Sequence, residues 1–199
     1  MKTTSLFLIV ALAFFSCKSN EEVQKETTHT TSVTTSVKTE AKNSSEVKIS
    51  PQEEEYTGII TEEDLTSGIL KVWFMPGYEA YDPDQETVDK IDKNIDDYSI
   101  KVFMGTWCSD SRREIPKFFK LLDRIDYNQN NLEVITTDLY KTTKQGYEKE
   151  YNIDFVPTII FIDKNGEEVN RFVEFPQESL EEDILKIVTN QPYTNSYAD

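Results

Sequence analysis

Residues 100–106, IKVFMGT, form an apolar run of strand composition, and the chain passes from them directly into a helical pattern. Ile115, Phe118, Phe119, Leu122 and Ile125 recur at i, i+3, i+4 and i+7 spacings within residues 109–125, which marks one buried face of an amphipathic helix. Strands separated by helices pair in parallel through right-handed crossovers. LEVITT at 132–137 supplies the next strand. TIIFID at 158–163, the turn Asp163-Lys164-Asn165-Gly166 and the alternating EEVNRFVE at 167–174 then predict an antiparallel hairpin. Upstream, residues 83–98 carry Val88, Ile91 and Ile95 at helical spacing, and Thr61-Glu62-Glu63-Asp64 reads as a capped helix start with acids in its first turn. Residues 68–75, ending at Pro76-Gly77, read as an extended piece. Residues 141–151 read as a polar helix, 177–189 as a helix with Leu180, Ile184, Leu185 and Val188 on one face, and the last ten residues as frayed. The order helix, strand, helix, strand, helix, hairpin, helix implies an α/β fold, with one mixed sheet covered on both faces.

The first 55 residues share none of these patterns. MKTTSLFLIVALAFFSC begins with Lys2 and continues into a mostly apolar stretch at 5–15. That stretch is about half the ~20 residues a spanning helix needs, and it fits an export signal. It stops at Phe14-Phe15-Ser16-Cys17, which resembles a bacterial lipobox with phenylalanine where leucine is commoner. The resemblance implies a lipoprotein signal peptide at 1–16 and acylation of Cys17. Residues 18–55 then hold thirteen Ser or Thr, eight Glu and five Lys, with no aromatic residue and no glycine. Such a segment cannot bury enough apolar surface to offset its ordering entropy. Residues 17–55 are therefore read as a lipid-anchored disordered tether with a reach of about 35 Å, and 56–199 as the folded domain. His29 is a solvated residue of the tether.

Charge and rare residues narrow the function. Lys and Arg number 21 and Asp and Glu 37 among 199 residues, a net charge of −16. That sign repels phosphate backbones, so no nucleic-acid partner is expected. With one histidine and two cysteines, Cys17 and Cys108, the folded part has no Ser-His-Asp or Cys-His machinery. A Cys/His zinc site and a disulfide-stapled scaffold are likewise excluded. In the acidic stretch 82–97, Asp82, Asp84 and Glu86 alternate, but no glycine follows at the sharp turn an EF-hand requires. No metal or other cofactor is expected.

The chemistry concentrates at Trp107-Cys108-Ser109-Asp110-Ser111, where the 100–106 strand meets its helix. A cysteine at a helix N-terminus faces unpaired N–H groups and the positive end of the dipole, which favour thiolate over thiol. Arg112 and Arg113 add positive charge one turn away, against Asp110. The Ser111 hydroxyl is placed to donate to the sulfur. These polar flanks argue against a merely apolar burial of Cys108, the bland alternative for a free cysteine.

This stretch resembles the thioredoxin family, in which Trp-Cys-x-x-Cys follows a core strand. Pro116, inside the helix eight residues after the cysteine, matches the family's kinking proline, and Val156-Pro157-Thr158 before an apolar strand matches its cis-proline. The Asp-x-x-Gly hairpin and terminal helix follow in family order, so the resemblance covers about residues 83–189. It implies a thioredoxin-like mixed sheet flanked by helices, with Cys108 as nucleophile, Trp107 as the flanking aromatic and Pro157 as the loop presenting backbone to a bound chain. The chain departs from the family at Ser111, where the second cysteine belongs, and at Val102, where thioredoxins often bury an aspartate. Cys108 therefore has no resolving partner in its own motif, and with Cys17 expected to be acylated, two-electron dithiol cycling within one chain is unavailable. Peroxiredoxins carry Thr or Ser three residues before the cysteine; Gly105 stands there, which argues against a peroxidase.

The expectation is a thiol protein of the cell envelope, lipid-anchored to a bacterial outer membrane and facing the periplasm or the surface. It acts on client proteins with oxidised cysteines and is released by a separate thiol reductant. The rivals are a redox-inactive peptide-binding module on the same fold, and a lipoprotein that uses the fold only as scaffold.

Overall fold

The computed structural model describes residues 56–198; the expected signal peptide and tether, with Cys17 and His29, lie outside them. The described chain opens with strand β1 (Gly58–Ile60) and helix α1 (Glu62–Thr66). Thr61 caps α1 as read from the sequence, its hydroxyl accepting the Asp64 N–H while Asp64 accepts the Thr61 N–H at 2.8 Å. Helices α2 (Lys71–Ala80) and α3 (Gln85–Ile95) precede strand β2 (Ser99–Met104) and the long helix α4 (Ser109–Arg124). A single 3-10 turn leads to β3 (Leu132–Thr136), and the one-turn helix α5 (Tyr147–Glu150) to the hairpin β4 (Thr158–Ile162) and β5 (Glu168–Val173). Helix α6 (Leu180–Val188) follows, capped by Ser179.

The five strands lie in the order β1-β3-β2-β4-β5. Only β2 and β3 are parallel, as their α4 crossover requires; the other pairs are antiparallel. The registers place Val102 beside Val134 and Ile159, and Ile159 beside Phe172. All four sit in one large core cluster together with the buried residues of α2, α3, α4 and α6. The alternate positions Phe103, Ile135 and Ile160 form a smaller cluster with Ile153, Val156 and Cys108, packed by Tyr147 and Tyr151 of the α5 region. Both faces of the sheet are covered, but unequally: α2, α3, α4 and α6, with Leu65 of α1, on one, a helical turn and a loop on the other.

Three local expectations are corrected. Residues 71–80 are helical, because Leu70, Phe74 and Tyr78 recur every fourth residue, with Leu70 and Phe74 fully buried. Pro76 is held within that helix, and Gly77 lets α2 approach α4: a Cβ there would stand 3.1 Å from Pro116 Cβ. The expected 141–151 helix shrinks to α5, because the Asp138 carboxylate takes the N–H groups of Tyr140 and Thr142, each at 2.9 Å, and closes a turn. Lys141 and Gly146 then adopt positive φ, at 59° and 76°. Residues 190–198 are not frayed. Tyr193 donates to the buried Asp183 at 3.2 Å, Asn170 donates to the Tyr193 carbonyl at 3.3 Å, and Tyr197 stacks on Phe155.

Candidate thiol site

Cys108 is the N-cap residue of α4, with extended φ and ψ of −80° and 128°, and its carbonyl accepts the Arg112 N–H at 3.0 Å. The strand-to-helix junction read from the sequence is therefore in place. The surroundings of the sulfur differ from expectation. Cys108 is 8% exposed and belongs to the apolar cluster with Phe103, Val156 and Ile160, despite its polar sequence neighbours. Those neighbours point elsewhere, because residues at the start of a helix fan out around its axis.

Ser111 does not serve the sulfur. Fully buried, its Oγ accepts the Gly105 N–H at 3.1 Å and so ties the end of β2 to the first turn of α4. The thiol instead donates to the Val156 carbonyl at 3.1 Å. The Val156–Pro157 peptide bond is cis, and the Pro157 carbonyl accepts the Glu174 N–H at 2.8 Å. Trp107 is half-buried; its indole N–H donates to the Thr137 carbonyl at 3.0 Å, fixing the ring across the end of β3. The ring lies on Gly105, where a Cβ would come within 2.6 Å of Cε2, so only glycine fits beneath it. Cys108, Trp107 and Pro157 thus converge, while Ser111 lies behind them in the core.

The positive charge expected beside the sulfur is committed to other groups. Arg113 pairs with Asp110 at 2.7 Å and with the buried Glu114 at 2.6 Å. Arg112 donates through Nε to the Thr106 carbonyl at 2.5 Å, its guanidinium 5.6 Å from the Trp73 ring centre. Val102 is fully buried in the larger cluster, on the opposite face of β2 from its neighbour Phe103, which packs with Cys108 in the smaller cluster. A cleft of about 760 Å3 lies apart from the site, lined by residues such as Ile59, Glu62, Lys101 and Asn131. Among the described residues, no group of three or more His, Cys, Asp and Glu side chains is placed to hold a metal, and no helix is long and apolar enough to cross a membrane.

The sequence profile of the thioredoxin family matches residues 76–186, more than half of the chain, from within α2 to within α6. This chain belongs to the thioredoxin family. Among solved structures, this thioredoxin-family protein is similar to an HIV epitope scaffold, at 15% identity and a TM-score of 0.52 over 72% of this chain and 100% of that one. It is also similar to a protein of unknown function from Pseudomonas aeruginosa, at 15% identity and a TM-score of 0.51 over 67% of this chain and 93% of that one. Fasciola hepatica thioredoxin aligns at 22% identity and a TM-score of 0.34, over 52% of this chain and 89% of that one. The first two likenesses are of fold. No curated protein matches the chain.

Sequence reasoning missed the Val156 carbonyl as the partner of the thiol and the 190–198 segment as a neighbour of the site. The first has no signal in residue type. The second had one, in Tyr193 and Tyr197, aromatic residues in a stretch otherwise read as frayed.

Proposed function

We propose that this protein is a lipid-anchored thiol protein of the bacterial cell envelope that reacts through Cys108 alone. The observation that carries the reading is the position of Cys108: it caps a sixteen-residue helix beside the Val156–Pro157 loop and is the only cysteine among the described residues. A helix N-terminus stabilises negative charge as it develops on the cap residue. Attack requires the thiol hydrogen, held on the Val156 carbonyl, to pass to solvent. The thiolate then attacks the sulfur of a client sulfenic acid, an S–S bond forms, and the departing hydroxide leaves as water. A small-molecule thiol next attacks the Cys108 sulfur and releases the client as a thiol. A second equivalent frees Cys108, so two thiols become one disulfide for each sulfenic acid reduced. With Ser111 buried and sulfur-free, and Cys17 taken up by its acyl group, the described residues offer no resolving thiol.

Cells bearing the native chain, quenched in acid and alkylated, are expected to yield mixed disulfides with envelope proteins. These should vanish on reduction and be missing from Cys108→Ala cells. The burial of Cys108 favours a second reading, a groove that binds extended peptides without turnover. That reading gains if no adducts form and the native thiol resists alkylation.

The anchor is tested separately. Cys17→Ser is expected to block acylation and to move the protein from the detergent to the aqueous phase in a partition experiment. Unchanged partitioning would remove the lipid anchor from the proposal.

A further inference from the structure

The segment that follows α6 meets three sides of the thiol site at one residue. The Tyr197 ring stacks on Phe155 with centroids 3.9 Å apart and planes 16° apart, and meets Phe175 edge-on at 6.1 Å. Phe155 directly precedes Val156, whose carbonyl holds the Cys108 thiol, and the cis Pro157. The Tyr197 hydroxyl donates to Glu174, whose own N–H donates to the Pro157 carbonyl at 2.8 Å. That bond raises the pKa of the phenol, and the carboxylates of Glu174 and of Asp110, two residues beyond Cys108, push it the same way. Tyr197 thus touches the loop before β4 and the exit of β5, and lies within electrostatic reach of the start of α4.

The rest of the segment is pinned along the same edge. Ser196 donates to the Phe175 carbonyl at 2.9 Å and accepts from the Gln177 side chain at 3.2 Å, while Tyr193 is tied to Asp183. Yet Tyr197 is 43% exposed and Cys108 only 8%. The aromatic ring is open to solvent, whereas the sulfur is buried. A core aromatic would be enclosed; one that is part exposed and held by a stack, an edge contact and a phenol–carboxylate bond can lift away.

We propose that residues 190–198 form a strap across the rim of the Cys108 site, latched by Tyr197, that selects which thiol partners reach the sulfur. The purpose of the strap rests on the thiol reading above. With the latch down, narrow small-molecule thiols and disulfides enter; a thiol or sulfenic acid on a protein surface requires the latch to lift. The apparent reactivity of Cys108 toward bulky partners is then reduced by the fraction of chains with the strap lifted.

The test compares two alkylating agents, iodoacetamide and a bulky maleimide, on the native chain, Tyr197→Ala and Tyr197→Phe, with melting curves to show that each is folded. Tyr197→Ala is expected to raise the maleimide rate about tenfold through the larger open fraction, with little change for iodoacetamide. Tyr197→Phe keeps the stack, loses the bond to Glu174, and should fall between. Maleimide rates equal to native in both variants, including a Cys108 that reacts in none, would overturn the strap. A Tyr197→Ala chain that takes maleimide faster yet forms no mixed disulfide with oxidised glutathione would leave the strap standing and remove the thiol reading instead.

Discussion

Ser111→Cys is expected to give a domain with one cysteine among its described residues a second thiol, and with it two-electron turnover on a small test disulfide. Position 111 lies three residues beyond the N-cap Cys108, in the first turn of α4. Side chains at i and i+3 on a helix have Cβ atoms about 5–6 Å apart, close enough for a modest adjustment at the helix start to give disulfide geometry. The Cys108 sulfur must rotate away from the Val156 carbonyl to reach the new thiol, and the Gly105 N–H loses its Ser111 acceptor. Exchanging that oxygen for a weak sulfur acceptor is expected to cost about 1 kcal/mol, well within what a domain of this size tolerates. The oxidised variant should show a mass two hydrogens lower than the reduced one, and a disulfide-reduction assay should register multiple turnovers. Two free thiols after oxidation would mean that residues 108 and 111 do not face each other at the helix start, and the enzymatic reading would fall with that placement.

Where local pattern and tertiary packing agree, the fold was readable in advance. The β2–α4–β3 unit, the Asp163–Gly166 hairpin and α6 each carry their own period, and each sits within a few residues of its expected place. The misreadings occur where long-range contacts outweigh a local signal. Residues 68–75 read as an extended piece ending at Pro76-Gly77, yet Leu70, Phe74 and Tyr78 gain a core only if the chain is helical, and Gly77 is needed for the approach to Pro116. Strand β1 has three residues, too few for any period, and exists because β3 offers it an edge. At the site, the positions of Cys108, Trp107 and Pro157 follow from motif and order. Their partners do not. The bond from Cys108 to Val156 joins residues 48 apart in sequence. Arg113 turns to the carboxylates of Asp110 and Glu114, which neutralise its charge, and the surroundings of the sulfur are apolar.

Val102→Asp should have the largest effect on stability of any single change at the site. Val102 has no exposed surface and faces Val134 and Ile159 across the sheet, beneath the helices of the larger core cluster. A lone carboxylate there would lose its hydration without gaining a cation, so its pKa should rise, by up to 3–5 units for a fully buried group. Each unit corresponds to about 1.4 kcal/mol, which makes a loss of about 3 kcal/mol or more at neutral pH the expected result even after the site relaxes. Because the folded-state pKa lies above the unfolded value of about 3.9, the native state binds the extra proton between the two. Stability relative to the native chain should therefore fall as pH rises through that window and level off above the folded-state pKa. Urea midpoints at pH 4.5, 6 and 8 read this directly. In the Ser111→Cys background the same carboxyl is expected to speed disulfide reduction while it lowers the midpoint, by accepting a proton from the buried second thiol. A variant as stable as the native chain at pH 8, with no dependence on pH, would show that water reaches position 102. The larger core cluster would then be open at this position rather than closed.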